Sequence, residues 1–173
     1  MWNFHIGSPA SDAGLAAIGK LTSLRRLEIV HTNVTDAGLI NLSALKNLRQ
    51  LHIHGKETTE SALPFIGQLK ELYELDIYDR PASNQTLAQV AQLPGLRMLR
   101  LFNGTFNDEG TKHLAGLKTL EELTLNSSGV TDASVEHLRG LTSLRTINLA
   151  GTRVTESGRK RLQELLPQVQ IVP

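Results

Sequence analysis

The chain of 173 residues contains no cysteine. Disulfide bonds are therefore excluded, and so are the cysteine-stapled end caps of many secreted modules. Aromatic residues make up only 4% of the chain, whereas leucine is abundant. This imbalance predicts a core built by stacking one residue type rather than by packing aromatic rings.

Strong net charge and long apolar segments are also missing. The formal net charge is +1, so no strong field favours nucleic acid or a membrane surface as a partner. The start of the chain lacks the basic segment and apolar run of a signal peptide, and no segment reaches the length of a membrane helix. We therefore expect a cytoplasmic, monomeric protein that binds neither nucleic acid nor membranes.

Leucine recurs at a fixed interval of 24 residues, without a single insertion. An internal period of this length indicates a solenoid, in which each unit buries its apolar face against the next. Numbered from this leucine, positions 4, 7 and 9 are leucine or isoleucine in each of six repeats. The leucines at position 1 are Leu21, Leu45, Leu69, Leu93, Leu117, Leu141 and Leu165.

Each repeat combines the pattern of a strand with the pattern of a short helix. Positions 7 and 9 alternate with polar residues at positions 6, 8 and 10, which is typical of a strand with one buried face. Position 15 is always Ser, Thr or Asn, the residue types that cap helix N-termini. Position 16 lies in the first turn of the helix, where the helix dipole favours negative charge. It is acidic in every repeat except the one with Asn84. The pattern predicts strand, turn and short helix in every unit.

These features resemble the leucine-rich repeat family. Its signature LxxLxLxxN/TxL is matched by LRRLEIVHTNV at residues 24–34 and by LEELTLNSSGV at residues 120–130. The unit length and the phrase VTDAGL are similar to the cysteine-containing and GALA-type subgroups of bacterial and F-box-associated proteins, although their cysteine is absent. The resemblance implies an α/β fold, namely a right-handed solenoid with a parallel sheet on the concave face and short helices on the convex face. It also implies a non-catalytic module that recognises a partner protein.

We expect residues 1–173 to form a single leucine-rich repeat domain. Residues 1–20 correspond to a half repeat or N-terminal cap, residues 21–164 to six repeats, and residues 165–173 to a partial repeat or C-terminal cap. The segment WNFHI near the start is expected to form a capping strand, one place out of register. Pro167 should end the last helix. A fragment of a larger repeat protein is the alternative.

Positions 12 and 14 depart from the repeat in the centre of the chain. A lysine or arginine cannot replace a buried hydroxyl side chain at these positions without a large desolvation cost. Where one occurs, its charged side chain must turn to solvent. The departures are interpreted either as drift within loops or as a turn surface shaped for a partner. The residues concerned are Lys56 and Thr58, Arg80 and Ala82, and Gly104 and Phe106 in repeats 2, 3 and 4.

The outward strand positions predict the binding face. Neighbouring strands lie about 4.8 Å apart, so position 10 of repeats 1–4 should form a contiguous apolar stripe, with the charges of position 8 beside it. Exposed aromatic residues flanked by charges are typical of binding hot spots. The predicted partner-binding residues are Glu28, Val30, His52, His54, Asp76, Tyr78, Arg100 and Phe102.

Two alternatives remain beside protein recognition. His52, His54 and Asp76 form a candidate set for a metal ion or a small ligand, because imidazole and carboxylate are zinc ligands. A purely structural role, as a spacer or fragment with an unused concave face, is the other. No nucleotide-binding or hydrolase motif is found, and we predict neither catalytic residues nor a cofactor.

Overall fold

The computed structural model describes residues 3–7, 11–30, 33–54, 60–78 and 82–172. Within these residues the chain forms one sheet of eight parallel strands, arranged in the order of the sequence. Consecutive units therefore stack side by side without a crossover, as the 24-residue period predicts. The strands are β1 (Asn3–Ile6), β2 (Arg26–Ile29), β3 (Gln50–His54), β4 (Glu74–Tyr78), β5 (Met98–Phe102), β6 (Glu122–Asn126), β7 (Thr146–Asn148) and β8 (Gln170–Val172).

The pairing of the strands follows the period of the sequence. From β2 to β8 each residue faces the residue 24 positions later, as Leu51 faces Leu75. Strand β1 is one residue out of step, because His5 faces Glu28. The predicted shift of register at the N-terminus is thereby confirmed, although Trp2 of the predicted strand lies outside the described residues.

Each strand from β1 to β7 is followed by a short helix on the opposite side of the core. The predicted N-cap side chains of Thr35, Ser83, Asn107 and Thr155 accept hydrogen bonds from first-turn backbone N–H groups, whereas the side chain of Ser11 does not. Several units use the tighter 3₁₀ form, which suits connections of only a few residues. The helices are α1 (Asp12–Ile18), α2 (Asp36–Leu39), α3 (Asn84–Val90), α4 (Asp108–Thr111), α5 (Ala133–Leu138) and α6 (Glu156–Leu165), with 3₁₀ helices at Ile40–Ala44, Glu60–Gln68 and Lys112–Gly116.

None of the helices in the described part of the chain has both the length and the apolar character that crossing a membrane requires. The last helix ends at Leu165, two residues before Pro167, as predicted. The chain then continues into β8, so the C-terminal segment adds a further strand to the sheet.

The core is a continuous column of leucine and isoleucine side chains between sheet and helices. In repeat 4, however, the wholly buried Phe106 takes part in this column. Its ring occupies the space that a Cβ atom on Gly104 would need. The departure at these two positions is therefore an exchange of volume within the core, and the interpretation of this turn as a partner surface stays a prediction.

The equivalent positions of repeats 2 and 3 are described only in part. Lys56, Thr58 and Arg80 lie outside the described residues. Ala82 is fully buried and fills the inward position that valine occupies in other repeats.

Candidate functional site

A row of stacked rings crosses the outward face of the sheet. The ring centroids of His54 and Tyr78 are 4.2 Å apart with planes inclined by 20°. Those of Tyr78 and Phe102 are 4.3 Å apart and inclined by 13°. We call these three half-buried side chains the aromatic ladder. Val30 stands at the same repeat position, directly after β2, and is also half-buried.

The ladder follows from the regularity of the sheet. Each ring stands at position 10, where the side chain points away from the leucine core, and the parallel register repeats that position on β3, β4 and β5. Adjacent strands lie about 4.8 Å apart, close to the stacking distance of aromatic rings. The strands therefore hold the rings face to face, and little side-chain freedom remains to be lost when a partner binds.

A cluster of charged side chains lies beside the ladder, towards the beginning of the same strands. Arg100 binds Glu122 with two hydrogen bonds, from Nε to Oε1 at 2.6 Å and from Nη2 to Oε2 at 2.9 Å. Its Nη1 also donates to Asp76 Oδ2 at 3.2 Å and to Glu74 Oε1 at 3.3 Å. A single guanidinium on β5 thus joins two carboxylates of β4 to one carboxylate of β6.

His52 completes this charged cluster on the side of β3. Its Nε2 lies 3.2 Å from Glu74 Oε1 and 3.7 Å from Asp76 Oδ2. Gln50 donates a short hydrogen bond from its side-chain amide to the other oxygen of Glu74. We define the charged cluster as Gln50, His52, Glu74, Asp76, Arg100 and Glu122.

The acids of the cluster differ in electrostatic environment. Burial raises the pKa of Asp76 above its usual value, and the neighbouring Glu74 charge adds to this, although His52 and Arg100 oppose it. Burial also acts to raise the pKa of Glu74, but the Gln50 hydrogen bond and the His52 charge together bring it below its usual value. The hydrogen bond to Glu122 raises the pKa of Arg100, which keeps its charge. Tyr78 is affected as well, since burial and the charge of Asp76 raise the pKa of its phenol.

The structure brings most of the predicted residues together, but not in equal roles. Asp76 is only 3% exposed, so it supports His52 and Arg100 and offers almost no surface to a partner. Glu28 stands apart from the cluster and has its own partner, His5, with Oε2 and Nδ1 3.3 Å apart. Glu74 and Glu122 belong to the cluster, but sequence reasoning missed them. Both occupy position 6, which the period-two pattern already turns outward.

The candidate metal ligands are also revised. Ligand atoms of His52, Glu74 and Asp76 lie within 4.8 Å of one another. His54 is not part of this set, because it belongs to the aromatic ladder. In addition, the Arg100 guanidinium already lies against both carboxylates. These residues offer suitable donors for a divalent cation only if Arg100 moves away.

Comparison with solved structures identifies the fold. The chain superposes on an internalin from Listeria monocytogenes with a TM-score of 0.57 at 17% identity, covering 99% of this chain and 60% of that one. A leucine-rich repeat protein of Leptospira interrogans gives a TM-score of 0.65 at 21% identity, with 99% and 48% covered. Internalin C2 of Listeria monocytogenes gives 0.69 at 18% identity, with 95% and 77% covered.

These likenesses show that the chain adopts the leucine-rich repeat fold, as the sequence resemblance implied. The chain spans 60% and 48% of the first two structures, and so corresponds to part of their length. No protein-family model matches the chain, and no curated protein is significantly similar to it. The GALA-type and cysteine-containing subgroups therefore stay a prediction.

Proposed function

We propose that the chain is a non-catalytic protein-recognition module whose concave face binds a partner protein across repeats 1–4. The observation that carries this proposal is the aromatic ladder of His54, Tyr78 and Phe102. Three rings stacked on the outer side of a sheet lie outside the leucine core, and each of them stays partly exposed at the surface. Aromatic anchors of this kind are enriched among interface hot spots.

Rigidity supports the same proposal. Immobilising a free side chain at an interface costs about 0.5–1.5 kcal/mol, and the stack already restrains its rings before any partner arrives. The charged cluster restrains its side chains in the same way, through hydrogen bonds that link three strands. The surface is therefore preorganised over adjacent repeats.

The predicted residues then have separate tasks in recognition. Tyr78 and Phe102 act as apolar anchors, and Val30 extends the apolar stripe towards the N-terminus. Arg100 and Glu122 lie at the edge of the anchors, where they select a partner of complementary charge. Asp76 contributes indirectly, by holding the guanidinium of Arg100 in place.

The test immobilises three forms of the full chain and compares which proteins each form captures from a cell lysate. Quantitative mass spectrometry measures the captured proteins. The three forms are the wild type, Tyr78→Ala/Phe102→Ala, and the control Asn126→Ala/Thr146→Ala, which alters the same face on repeats 5 and 6. A true partner is retained by wild type and control and lost from the ladder variant. With the purified partner, each ring should contribute about 2 kcal/mol or more, or about thirtyfold in Kd. Equal capture by all three forms contradicts the proposal.

A second candidate function, binding a divalent cation or small ligand, is favoured by one observation. His52, Glu74 and Asp76 present one imidazole and two carboxylates at ligand spacing. The position of Arg100 between the carboxylates argues against it, because that guanidinium already supplies the positive charge. Elemental analysis of purified protein distinguishes the two, since a stoichiometric metal lost in His52→Ala favours the second candidate.

A further inference from the structure

A second row of side chains crosses the sheet where the strands begin. Position 5 of repeats 1, 2, 4 and 6 is arginine in each case, and all four arginines are exposed. The two other repeats place Tyr73 and Glu121 in the same row. We call Arg25, Arg49, Arg97 and Arg145 the arginine row.

The backbone of this row is fixed by hydrogen bonds that pass from one repeat to the next. The N–H of Arg49 donates to the carbonyl of Arg25 at 2.8 Å, and the same bond recurs at every step to Arg145, at 2.8–2.9 Å. Each step is about 4.8 Å, so the row extends over about 24 Å. An extended peptide of about seven residues has the same length.

The charges along the row are only partly neutralised. Within the described residues, Arg25 and Arg145 have no carboxylate partner, and Arg49 has a distant one, Glu71, at 3.7 Å. Arg97 binds Glu121 through Nε at 2.9 Å and Nη2 at 2.5 Å. The row thus already holds one carboxylate, since both nitrogens of Arg97 donate to the same oxygen, Oε1 of Glu121.

From these observations we propose that the arginine row binds an extended acidic segment of a partner protein, which lies across the beginnings of the strands. Two shallow clefts meet at Tyr73. One is lined by Arg25 and Arg49, and the other by Arg97 and Arg145. A guanidinium can bind a carboxylate with two parallel hydrogen bonds, so a row of them selects glutamate and aspartate side chains by geometry as well as by charge.

The surroundings of the row favour a peptide over a nucleic acid. The charged cluster next to the row contributes the carboxylates of Glu74, Asp76 and Glu122 on the same face. These acids repel a wide phosphate backbone, which covers several rows at once, whereas a single extended chain along the arginine row meets fewer of them, chiefly Glu122 in the cleft lined by Arg97 and Arg145. The net charge of +1 adds no general attraction for nucleic acid.

The arginine row and the aromatic ladder lie at opposite ends of the strands. Positions 5 and 10 are separated by about 16 Å along a strand, so a ligand of one row need not touch the other. The proposal therefore does not depend on the function of the ladder. In the test below, Tyr78→Ala/Phe102→Ala should bind the acidic probe as the wild type does.

The probe is fluorescein-labelled octaglutamate, followed by fluorescence anisotropy with the full chain at ionic strengths of about 0.02 and 0.15 M, where screening differs strongly. The row variant is Arg25→Gln/Arg49→Gln/Arg145→Gln. The matched control, Arg139→Gln/Arg153→Gln/Lys160→Gln, removes three exposed charges from other parts of the surface. All six residues are exposed, so circular dichroism should show the same fold in both variants.

We expect the row variant to lose affinity for octaglutamate by about tenfold, because each exposed ion pair contributes modestly. The control should stay within about twofold of the wild type, a difference smaller than one such pair. Absence of binding to the wild type overturns the proposal, and so does an equal loss in both variants, which reveals a mere effect of net charge. Tighter binding of an eight-nucleotide oligothymidylate than of octaglutamate also overturns it, in favour of nucleic acid.

Discussion

The carboxylate of Asp108 accepts hydrogen bonds from both the backbone N–H and the hydroxyl of Thr131, at 2.9 and 2.7 Å. The same two bonds join Asp12 to Thr35, at 2.8 and 2.6 Å, and Asp132 to Thr155, at 2.8 and 2.7 Å. Position 16 of one repeat thus binds position 15 of the next. We call each of these pairs a carboxylate clamp. The helix dipole alone accounts for acids at this position, but the structure shows that they also bind the helix N-cap residue of the next repeat.

Removal of one clamp should destabilise the whole solenoid. In Asp108→Ala the N–H and hydroxyl of Thr131 lose a charged acceptor, which we expect to cost about 2 kcal/mol. Asp108→Asn should cost less than about 1 kcal/mol, because Asn84 fills the equivalent position and bonds Asn107 through both atoms of its amide. Urea unfolding of the two variants measures both values. Equal losses would show that the clamp acts only through its charge.

The clamp should also make stability dependent on pH. Burial acts to raise the pKa of Asp108, but hydrogen bonds from Ser134 and Thr131 bring it below its usual value. The unfolded state then takes up the proton more readily, so the stabilisation is present above the unfolded pKa of about 4 and is lost as pH falls through the lower folded pKa. The stability difference between wild type and Asp108→Asn should shrink as the pH falls from about 6 to about 3. A constant difference across this range contradicts the assignment.

The aromatic ladder should show direct energetic coupling between its rings. A double-mutant cycle with Tyr78→Ala and Phe102→Ala should give a coupling of about 1 kcal/mol, as expected for stacked aromatic pairs. His54 and Phe102 stand at the two ends of the stack, so their cycle is the matched control and should be additive within about 0.5 kcal/mol. Urea unfolding of the single and double variants provides all the values. Additivity in both cycles would mean that the stacking is not maintained in solution.

The regular part of this structure could be predicted from the sequence because every repeat has the same length. A strict period fixes the strand register by translation, so the alignment of Tyr78 with its neighbours followed from counting residues. The charged cluster could not be predicted in this way. Its bonds run diagonally, as from Arg100 to Glu122 and to Glu74, and depend on how far long side chains reach across the sheet. The cytoplasmic location and the monomeric state stay predictions.

The exchange of volume between Gly104 and Phe106 is a second feature that the repeat pattern could not predict. Each residue departs from the repeat when it is considered alone, and the pair was open to interpretation as a surface feature. Only the packing reveals that the missing side chain of one makes room for the ring of the other. Complementary changes of this kind preserve core volume, to which closely packed interiors are sensitive.

Arg100 should decide whether the charged cluster can hold a metal. In Arg100→Gln the carboxylates of Glu74 and Asp76 lose their shared cation, which we expect to cost about 3 kcal/mol because Asp76 is buried. The vacated space should then admit zinc, so added zinc should raise the Tm of this variant and leave that of the wild type unchanged. Thermal unfolding with and without zinc measures the shift. The control Arg100→Gln/His52→Ala should show none, whereas an equal rise in the wild type would support the metal-binding alternative.

Glycine stands two residues after the acid in several repeats, whereas Ser134 takes this place beside the Asp108 clamp and donates its hydroxyl to Asp108. A Cβ atom on Gly158 would collide with Asp132, and one on Gly38 would collide with Asp12, because the clamping carboxylate of the preceding repeat fills that space. Gly14 stands at the same repeat position near the N-terminus, where a Cβ atom would meet nothing within 4 Å. The same substitution at Gly158 and at Gly14 therefore tests a site where a Cβ atom would collide against a site where it would not.

We expect Gly158→Ala to destabilise the protein by about 1–3 kcal/mol, since the added methyl group forces Asp132 away from Thr155. Gly14→Ala, inside α1, should instead stabilise it by up to about 1 kcal/mol, because alanine favours the helix when no neighbour opposes it. Urea unfolding of the two variants measures both changes under the same conditions. Changes of the same sign would show that helix propensity, and not the clamp, determines the residue at this position.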